Sequence, residues 1–165
     1  MRKLLYCYML LFSVFVASAQ TKEALTAWFN TTGFAMLYKG ENPEQPTQRY
    51  TLDQMGFRYF VTISESNSNY ESILPKKGFK HVLVNEHRFF HNGGQVRFSI
   101  GKDVVKAKEN GKLVQRGRLF SIYFDKNTSS TDKALFMKNF YDLMCLYGAK
   151  ERTDYLKSEF PKPLF

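Results

Sequence analysis

The sequence is short of cysteine, which excludes the small secreted scaffolds that depend on several disulfides. Its 165 residues include 2 cysteines, 5 prolines and 10 glycines, and the low proline and glycine content excludes collagen-like and low-complexity chains. Acidic residues are also scarce, since 15 Asp and Glu stand against 24 Lys and Arg, for a formal net charge of +9. Hydrophobic residues make up 44% of the chain and aromatic residues 16%, which is enough for a globular core rather than a disordered chain.

The N-terminal segment 1–19 has the pattern of a secretory signal peptide. Two basic residues precede an apolar run, and Ala17-Ser18-Ala19 supplies the small residues of a cleavage site. Cleavage is expected between Ala19 and Gln20, so we expect a periplasmic or extracellular protein. The apolar run of about 13 residues is shorter than the roughly 20 that a membrane-spanning helix needs. The pattern therefore predicts no transmembrane anchor after processing.

Residues 20–165 are expected to form a single α+β domain, in which residues 150–165 are a C-terminal tail. Cys7 would leave with the signal peptide, so the exported chain would keep Cys145 alone and could form no intramolecular disulfide. Cys145 lies in an apolar helical pattern and is expected to be a small buried hydrophobe. The alternatives are a nucleophile or an intermolecular bridge, but a nucleophile needs a base and an electropositive surround, and neither is visible nearby in the sequence.

The spacing of apolar residues predicts a helix, a run of antiparallel strands and a second helix. A short helix is predicted over Thr21–Phe29 and a first strand over Phe34–Tyr38. The strongest later strands are residues 57–64 and 119–124, and Thr131 is the expected cap of a long helix. The predicted fold class is α+β: an antiparallel, meander-like sheet of about five to seven strands, with a short N-terminal helix and a long C-terminal helix packed on it.

The strongest hairpin signal is Asn110-Gly111, a pair that suits a type I′ turn. With this pair at the tip, Val105 would face Arg116 across the hairpin. Lys106 and Lys108 would then lie on the opposite side, because successive side chains of a strand alternate between its two faces. The sequence therefore predicts a hairpin with one mostly apolar face and one cationic face.

Basic residues gather in two parts of the chain, at Lys76, Lys77 and Lys80 and within residues 102–118. Such a surface either is a solvated face that favours solubility or binds an acidic partner. Secretion would remove the chain from intracellular nucleic acid. The expected partner is therefore a protein or another acidic macromolecule. The residues predicted to bind it are Lys76, Lys77, Lys106 and Lys108.

Three histidines, His81, His87 and His91, lie close together in the sequence, and three imidazoles are sufficient ligands for a zinc ion. In one extended strand, however, His87 and His91 would be roughly 13 Å apart, too far for one ion. Only a helical arrangement of this segment would bring them together, and its pattern favours a strand. No metal is therefore expected.

The sequence contains no motif for a catalytic nucleophile, a phosphate-binding loop or a dinucleotide site, so no cofactor is expected. These features favour a small, non-enzymatic binding protein of the inhibitor or immunity type that engages its partner through a basic surface. One alternative is a small-ligand carrier with an aromatic-lined pocket under the C-terminal helix, formed by Tyr59, Phe98 and Tyr123. The other is an enzyme of unfamiliar type that uses His87 and His91 for acid–base chemistry.

Overall fold

The computed structural model describes four stretches of the chain, residues 20–39, 47–63, 66–91 and 93–151. The predicted signal peptide at residues 1–19 lies outside the described residues. So does the predicted tail from residue 152 onward, whereas Lys150 and Glu151 are described.

Two α-helices, α1 (Lys22–Thr31) and α2 (Ser130–Leu146), lie near the two ends of the described chain. The N-cap of α2 is Ser129, whose hydroxyl oxygen accepts a hydrogen bond from the backbone N–H of Asp132 at 3.1 Å. The cap therefore lies two residues before Thr131, the residue predicted from the sequence. Either hydroxyl suits a helix start, and the extended backbone of Ser129 decides between them.

A short 3₁₀-helix, Gly33–Met36, follows α1 where the sequence predicted a strand over Phe34–Tyr38. The predicted strand is wrong. Within this segment only Leu37 pairs as a strand residue does, in an isolated β-bridge with Phe124. The segment packs closely on α1 instead of pairing as a strand. A Cβ atom added at Gly33 would lie 2.7 Å from the ring of Trp28.

The described residues form nine strands, with a second 3₁₀-helix (Lys76–His81) between the third and fourth. Their bounds are β1 (Thr47–Asp53), β2 (Gly56–Ile63), β3 (Ser68–Pro75), β4 (Val82–Phe90), β5 (Gln95–Ile100), β6 (Val105–Glu109), β7 (Lys112–Gly117), β8 (Leu119–Tyr123) and β9 (Lys150–Glu151).

These strands are divided between two sheets, whereas the sequence predicted one. Sheet 1 has the order β1-β2-β3-β6-β7, and all its neighbours are antiparallel. Sheet 2 has the order β8-β5-β4-β9, and its one parallel pairing is the two-residue contact of β9 with β4. The chain leaves sheet 1 after β3, builds β4 and β5 of sheet 2, and returns with β6. The predicted α+β class with a short N-terminal and a long C-terminal helix is confirmed.

An aromatic core joins the two sheets and the two helices. Phe57 of β2 is completely buried. Its ring centroid lies 5.0 Å from that of Phe29 in α1, 5.3 Å from Phe140 in α2 and 6.2 Å from Phe120 in β8. On sheet 2, Phe98 of β5 stacks on the same Phe140 at 4.0 Å. These contacts place both helices on the inner face of sheet 1, so the opposite face of that sheet points away from them.

Gly56, at the start of β2, is expected to be intolerant of any side chain. Its φ of +127° lies in the region that favours glycine, and an added Cβ would lie 2.1 Å from the backbone oxygen of Leu74. We expect Gly56→Ala to lower the free energy of unfolding by more than about 1 kcal/mol, measured by urea denaturation. The control is Gly117→Ala, where nothing lies within 4 Å of an added Cβ. Equal losses in the two variants would contradict this account.

Candidate functional site

The outer face of sheet 1 collects charged side chains from five strands. Strand pairing sets Phe60 opposite Glu71, Glu71 opposite Lys108, and Lys106 opposite Arg116, so these residues share one side of the sheet. We term this surface the cationic face. Its charged members are Arg49, Asp53, Arg58, Glu71, Lys106, Lys108 and Arg116.

The two carboxylates of the cationic face are engaged by cations within the sheet. Glu71 lies 3.4 Å from a guanidinium nitrogen of Arg58 and 3.4 Å from the ammonium of Lys108. Arg58 also forms an ion pair with Asp53. Desolvation opposes ionisation of Asp53, but hydrogen bonds from the Met55 backbone N–H and from Arg58 outweigh it and lower the pKa of this carboxyl. Both carboxylates of this face therefore form ion pairs with cations of the same sheet.

Three cations of the face are not neutralised in this way. Within the described residues, Arg49, Lys106 and Arg116 form no ion pair. The guanidinium groups of Arg49 and Arg58 lie over the ring of Phe60, at 4.8 Å and 5.0 Å from its centroid. A cation–π contact orients a guanidinium but leaves its charge in place. The face therefore carries a net positive charge.

The structure brings together two of the four residues predicted to bind a partner. Lys106 and Lys108 both lie on β6 in the cationic face. Lys76 and Lys77 begin the second 3₁₀-helix, so they stand outside the strands that form the face. Lys108 differs from Lys106 in having Glu71 as a partner, so more of its charge is compensated.

The predicted hairpin forms around Asn110-Gly111, and both turn residues have positive φ, as a type I′ turn requires. A β-bulge after Ala107 then shifts the pairing by one residue. Arg116 consequently pairs with Lys106, and its predicted pairing with Val105 is wrong. Because a shift of one residue moves a side chain to the other face, the bulge adds Arg116 to the cationic face.

Only Lys106 and Lys108 of this face were predicted from the sequence, and Arg49, Arg58 and Phe60 on β1 and β2 are among the members that were missed. Because side chains alternate along a strand, the sequence shows which residues of β1 and β2 share a face. It does not show which other strands contribute residues to the same face of the sheet. The link runs through the pairing of β3 with β6, and β4 and β5 lie between those two strands in the chain. Such a non-local pairing leaves no short-range signal.

Cys145 is exposed, which corrects the expectation that it is a small buried hydrophobe. The buried side of α2 includes Phe136, Phe140 and Met144. Since each helical residue is rotated by about 100° from the one before, Cys145 turns away from this side, as does the exposed Leu146.

The three histidines occupy different elements. His81 ends the second 3₁₀-helix, His87 lies in β4 and His91 follows β4 in a turn. The helical arrangement that would bring His87 and His91 together does not occur, because the strand runs through Phe90. Among the described residues, no group of three or more His, Cys, Asp or Glu side chains is placed to hold a metal ion.

His87 joins sheet 2 to α2 by a hydrogen bond. Its Nδ1 lies 2.9 Å from the hydroxyl oxygen of Tyr141. Desolvation lowers the pKa of the His87 imidazole, although the charge of Glu86 acts in the opposite direction. Desolvation also raises the pKa of the Tyr141 hydroxyl, with a further contribution from Glu86. Near neutral pH the pair is therefore an uncharged hydrogen bond between two packed elements.

The aromatic residues predicted to line a pocket under the C-terminal helix do not surround a common space. Phe98 is completely buried and stacks on Phe140 of α2, so rings fill this part of the interior. Tyr123 pairs with Gln95 and therefore lies on the opposite face of sheet 2 from Phe98, and its ring centroid is 5.5 Å from that of Tyr59. The hydroxyl of Tyr59 donates a hydrogen bond to Gln48 Oε1 at 3.0 Å, and desolvation raises the pKa of this tyrosine.

Comparisons of the chain with protein-family models, with curated proteins and with solved structures found no match. None of the described helices has the length and apolar character needed to cross a membrane. The class of the protein is therefore stated from its fold and its surface. It is an α+β protein of two sheets, in which the outer face of sheet 1 is charged.

The lowered pKa of His87 leads to a pH prediction. Below its unfolded pKa of about 6.5, the unfolded state binds this proton more readily than the folded state, so stability falls as the pH decreases through this range. His87→Gln keeps a polar side chain near Tyr141 but cannot titrate. We expect this variant to lose less stability than the wild type between neutral pH and the lower folded pKa, measured by urea denaturation at a series of pH values.

The matched control is His91→Gln, in which an exposed histidine is replaced in the turn after β4. The stability of His87→Gln should fall less steeply than that of this control as the pH decreases. A His87→Gln protein whose stability falls as steeply as that of the wild type would contradict the assignment.

Proposed function

We propose that this protein is a small secreted binding protein that engages an acidic macromolecular partner through the cationic face. The observation that carries the proposal is the charge balance of that face, where, among the residues that the structure describes, five cations stand against two carboxylates that are already paired within the sheet. The face also points away from both helices, so the side chains that hold the core are not needed for binding. An acidic protein surface is the partner that fits this arrangement best.

The β6–β7 hairpin that carries the free cations Lys106 and Arg116 also carries exposed apolar groups. Leu113 pairs with Lys108, which places it on the cationic side of the hairpin, and 49% of its surface is exposed. Its neighbour Val114, on the same edge strand, is 59% exposed. Protein interfaces combine such apolar contacts with arginine and a polar rim. The β6–β7 hairpin therefore offers both the charge and the apolar contact that a protein partner uses.

Charge complementarity of this kind contributes to partner choice and to the rate of association more than to final affinity. Because these side chains face solvent, binding should weaken as salt screens the charges. Export, as the N-terminal segment predicts, would bring the face to partners outside the cytoplasm. An inhibitor or an immunity-type protein is the kind of binding protein that such a surface suits.

Reversing the free charges of the hairpin should weaken binding. We expect the double variant Lys106→Glu, Arg116→Glu to bind poly-L-glutamate at least about tenfold more weakly than the wild type, because two cations that form no ion pair are replaced by acids. Binding is measured by isothermal titration calorimetry at low and at moderate salt. The wild-type affinity should fall as the salt concentration rises.

The control is Lys133→Glu, Lys138→Glu on α2, which changes the net charge equally but lies on the opposite side of sheet 1. The control should lose much less affinity than the hairpin variant. If both variants weaken binding equally, net charge alone explains the attraction and the cationic face is not the site.

A further inference from the structure

Sheet 2 carries a cavity of about 480 Å³ on the face that points away from α2. Phe98 of β5 points towards α2, so its neighbours Arg97 and Ser99, which line the cavity, point the other way. The volume lies within the range of roughly 300–1,000 Å³ that is typical of small-molecule sites. The cavity is separate from the cationic face, which belongs to sheet 1.

An irregularity in β4 creates this space. Val82 of β4 pairs with Ile100 of β5, and the next paired positions are His87 and Phe98. The segment of β4 between these two pairs is therefore longer than the segment of β5. The surplus residues of β4 cannot lie flat in the pleat, and Asn85 among them adopts a φ of +63°. Bulges of this kind bend a strand and redirect its side chains, and they are frequent beside binding sites.

Two arginines face each other across the cavity wall. Arg88 of β4 and Arg97 of β5 are direct cross-strand partners. Within the described residues, neither guanidinium has a carboxylate partner. Like charges directly opposite each other destabilise an antiparallel pair, and an anion bound between them would remove that repulsion. The guanidinium of Arg97 lies 4.5 Å from the ring centroid of Phe90, which orients it without neutralising it.

The remaining lining supports an anion that carries an apolar group. Arg118 adds a third cation, one that also pairs with Asp103 at 3.1 Å, and Glu86 is the one acid among the lining residues that the structure describes. In this described part of the lining, three arginines therefore stand against one carboxylate. Phe90 and Leu119 provide apolar walls, and 55% of the Leu119 surface is exposed.

We propose that this cavity binds an amphiphilic organic anion. Its phosphate or carboxylate lies between Arg88 and Arg97, and its apolar chain lies against Phe90 and Leu119. Each arginine presents several donors in a planar fork that matches either oxyanion. This binding site is a second activity of the protein, independent of the acidic partner proposed for sheet 1.

The test uses octyl phosphate, below the concentration at which it forms micelles, as the probe for the full exported chain. Isothermal titration calorimetry should show one site, and the affinity for octyl phosphate should exceed that for inorganic phosphate and for uncharged octyl glucoside by at least about tenfold each. Equal affinity for octyl phosphate and octyl glucoside would show apolar adsorption alone and would overturn the proposal. So would the absence of any binding.

The double variant Arg88→Gln, Arg97→Gln should lose at least about tenfold in affinity for octyl phosphate, since both charge-assisted contacts are removed. The matched control is Lys106→Gln, Arg116→Gln on the cationic face, which loses the same charge and should bind as the wild type does. Equal losses in the two double variants would overturn the proposed site.

Two further measurements keep the test decisive if the arginine variant folds poorly. Leu119→Glu changes an exposed position and places a carboxylate in the cavity, so it should abolish binding while the melting temperature without ligand stays near that of the wild type. Octyl phosphate should raise the melting temperature of the wild type above that in sodium chloride of equal ionic strength, and it should not do so for Leu119→Glu. Full binding by Leu119→Glu would overturn the proposal.

Discussion

The packing of aromatic rings around Phe57 is the interaction on which the rest of the structure depends. This ring lies in sheet 1, yet it contacts Phe29 of α1, Phe140 of α2 and Phe120 of sheet 2. Phe140 in turn stacks on Phe98, so the C-terminal helix is held between the two sheets. Loss of one such buried ring costs about 3–5 kcal/mol in a typical core, because both the transfer energy and the packing are lost. The shared core is what joins two separate sheets into one fold.

This arrangement determines where charge can be placed. The inner face of sheet 1 and the helix-facing side of sheet 2 are occupied by the core, so cations occupy the opposite side of each sheet. On sheet 1 they form a broad surface in which Arg58 and Lys108 are compensated and Lys106 is not. On sheet 2 they line a cavity, with Arg88 opposite Arg97. Basic residues of the two sheets thus form two surfaces of different shape, one extended and one concave.

Features of the fold with local signals were predicted from the sequence, and features set by distant pairing were not. The Asn110-Gly111 turn and the α+β class with its two helices follow from local residue types and spacing. The division into two sheets depends on β3 pairing with β6 across an insertion, and the bulge that places Arg116 beside Lys106 has no sequence signature. The candidate site was predicted only in part. Lys106 and Lys108 were predicted from the local hairpin signal, whereas Arg49 joins them only through the pairing of distant strands.

Amide chemical shifts measured by NMR during titration with poly-L-glutamate would show directly whether an acidic partner binds at the cationic face, as we propose. We expect the largest shift changes on β6 and β7, around Lys106 and Arg116, and we expect them to diminish as salt is added. Changes concentrated in the 3₁₀-helix at Lys76 and Lys77, or spread evenly over the protein, would contradict it.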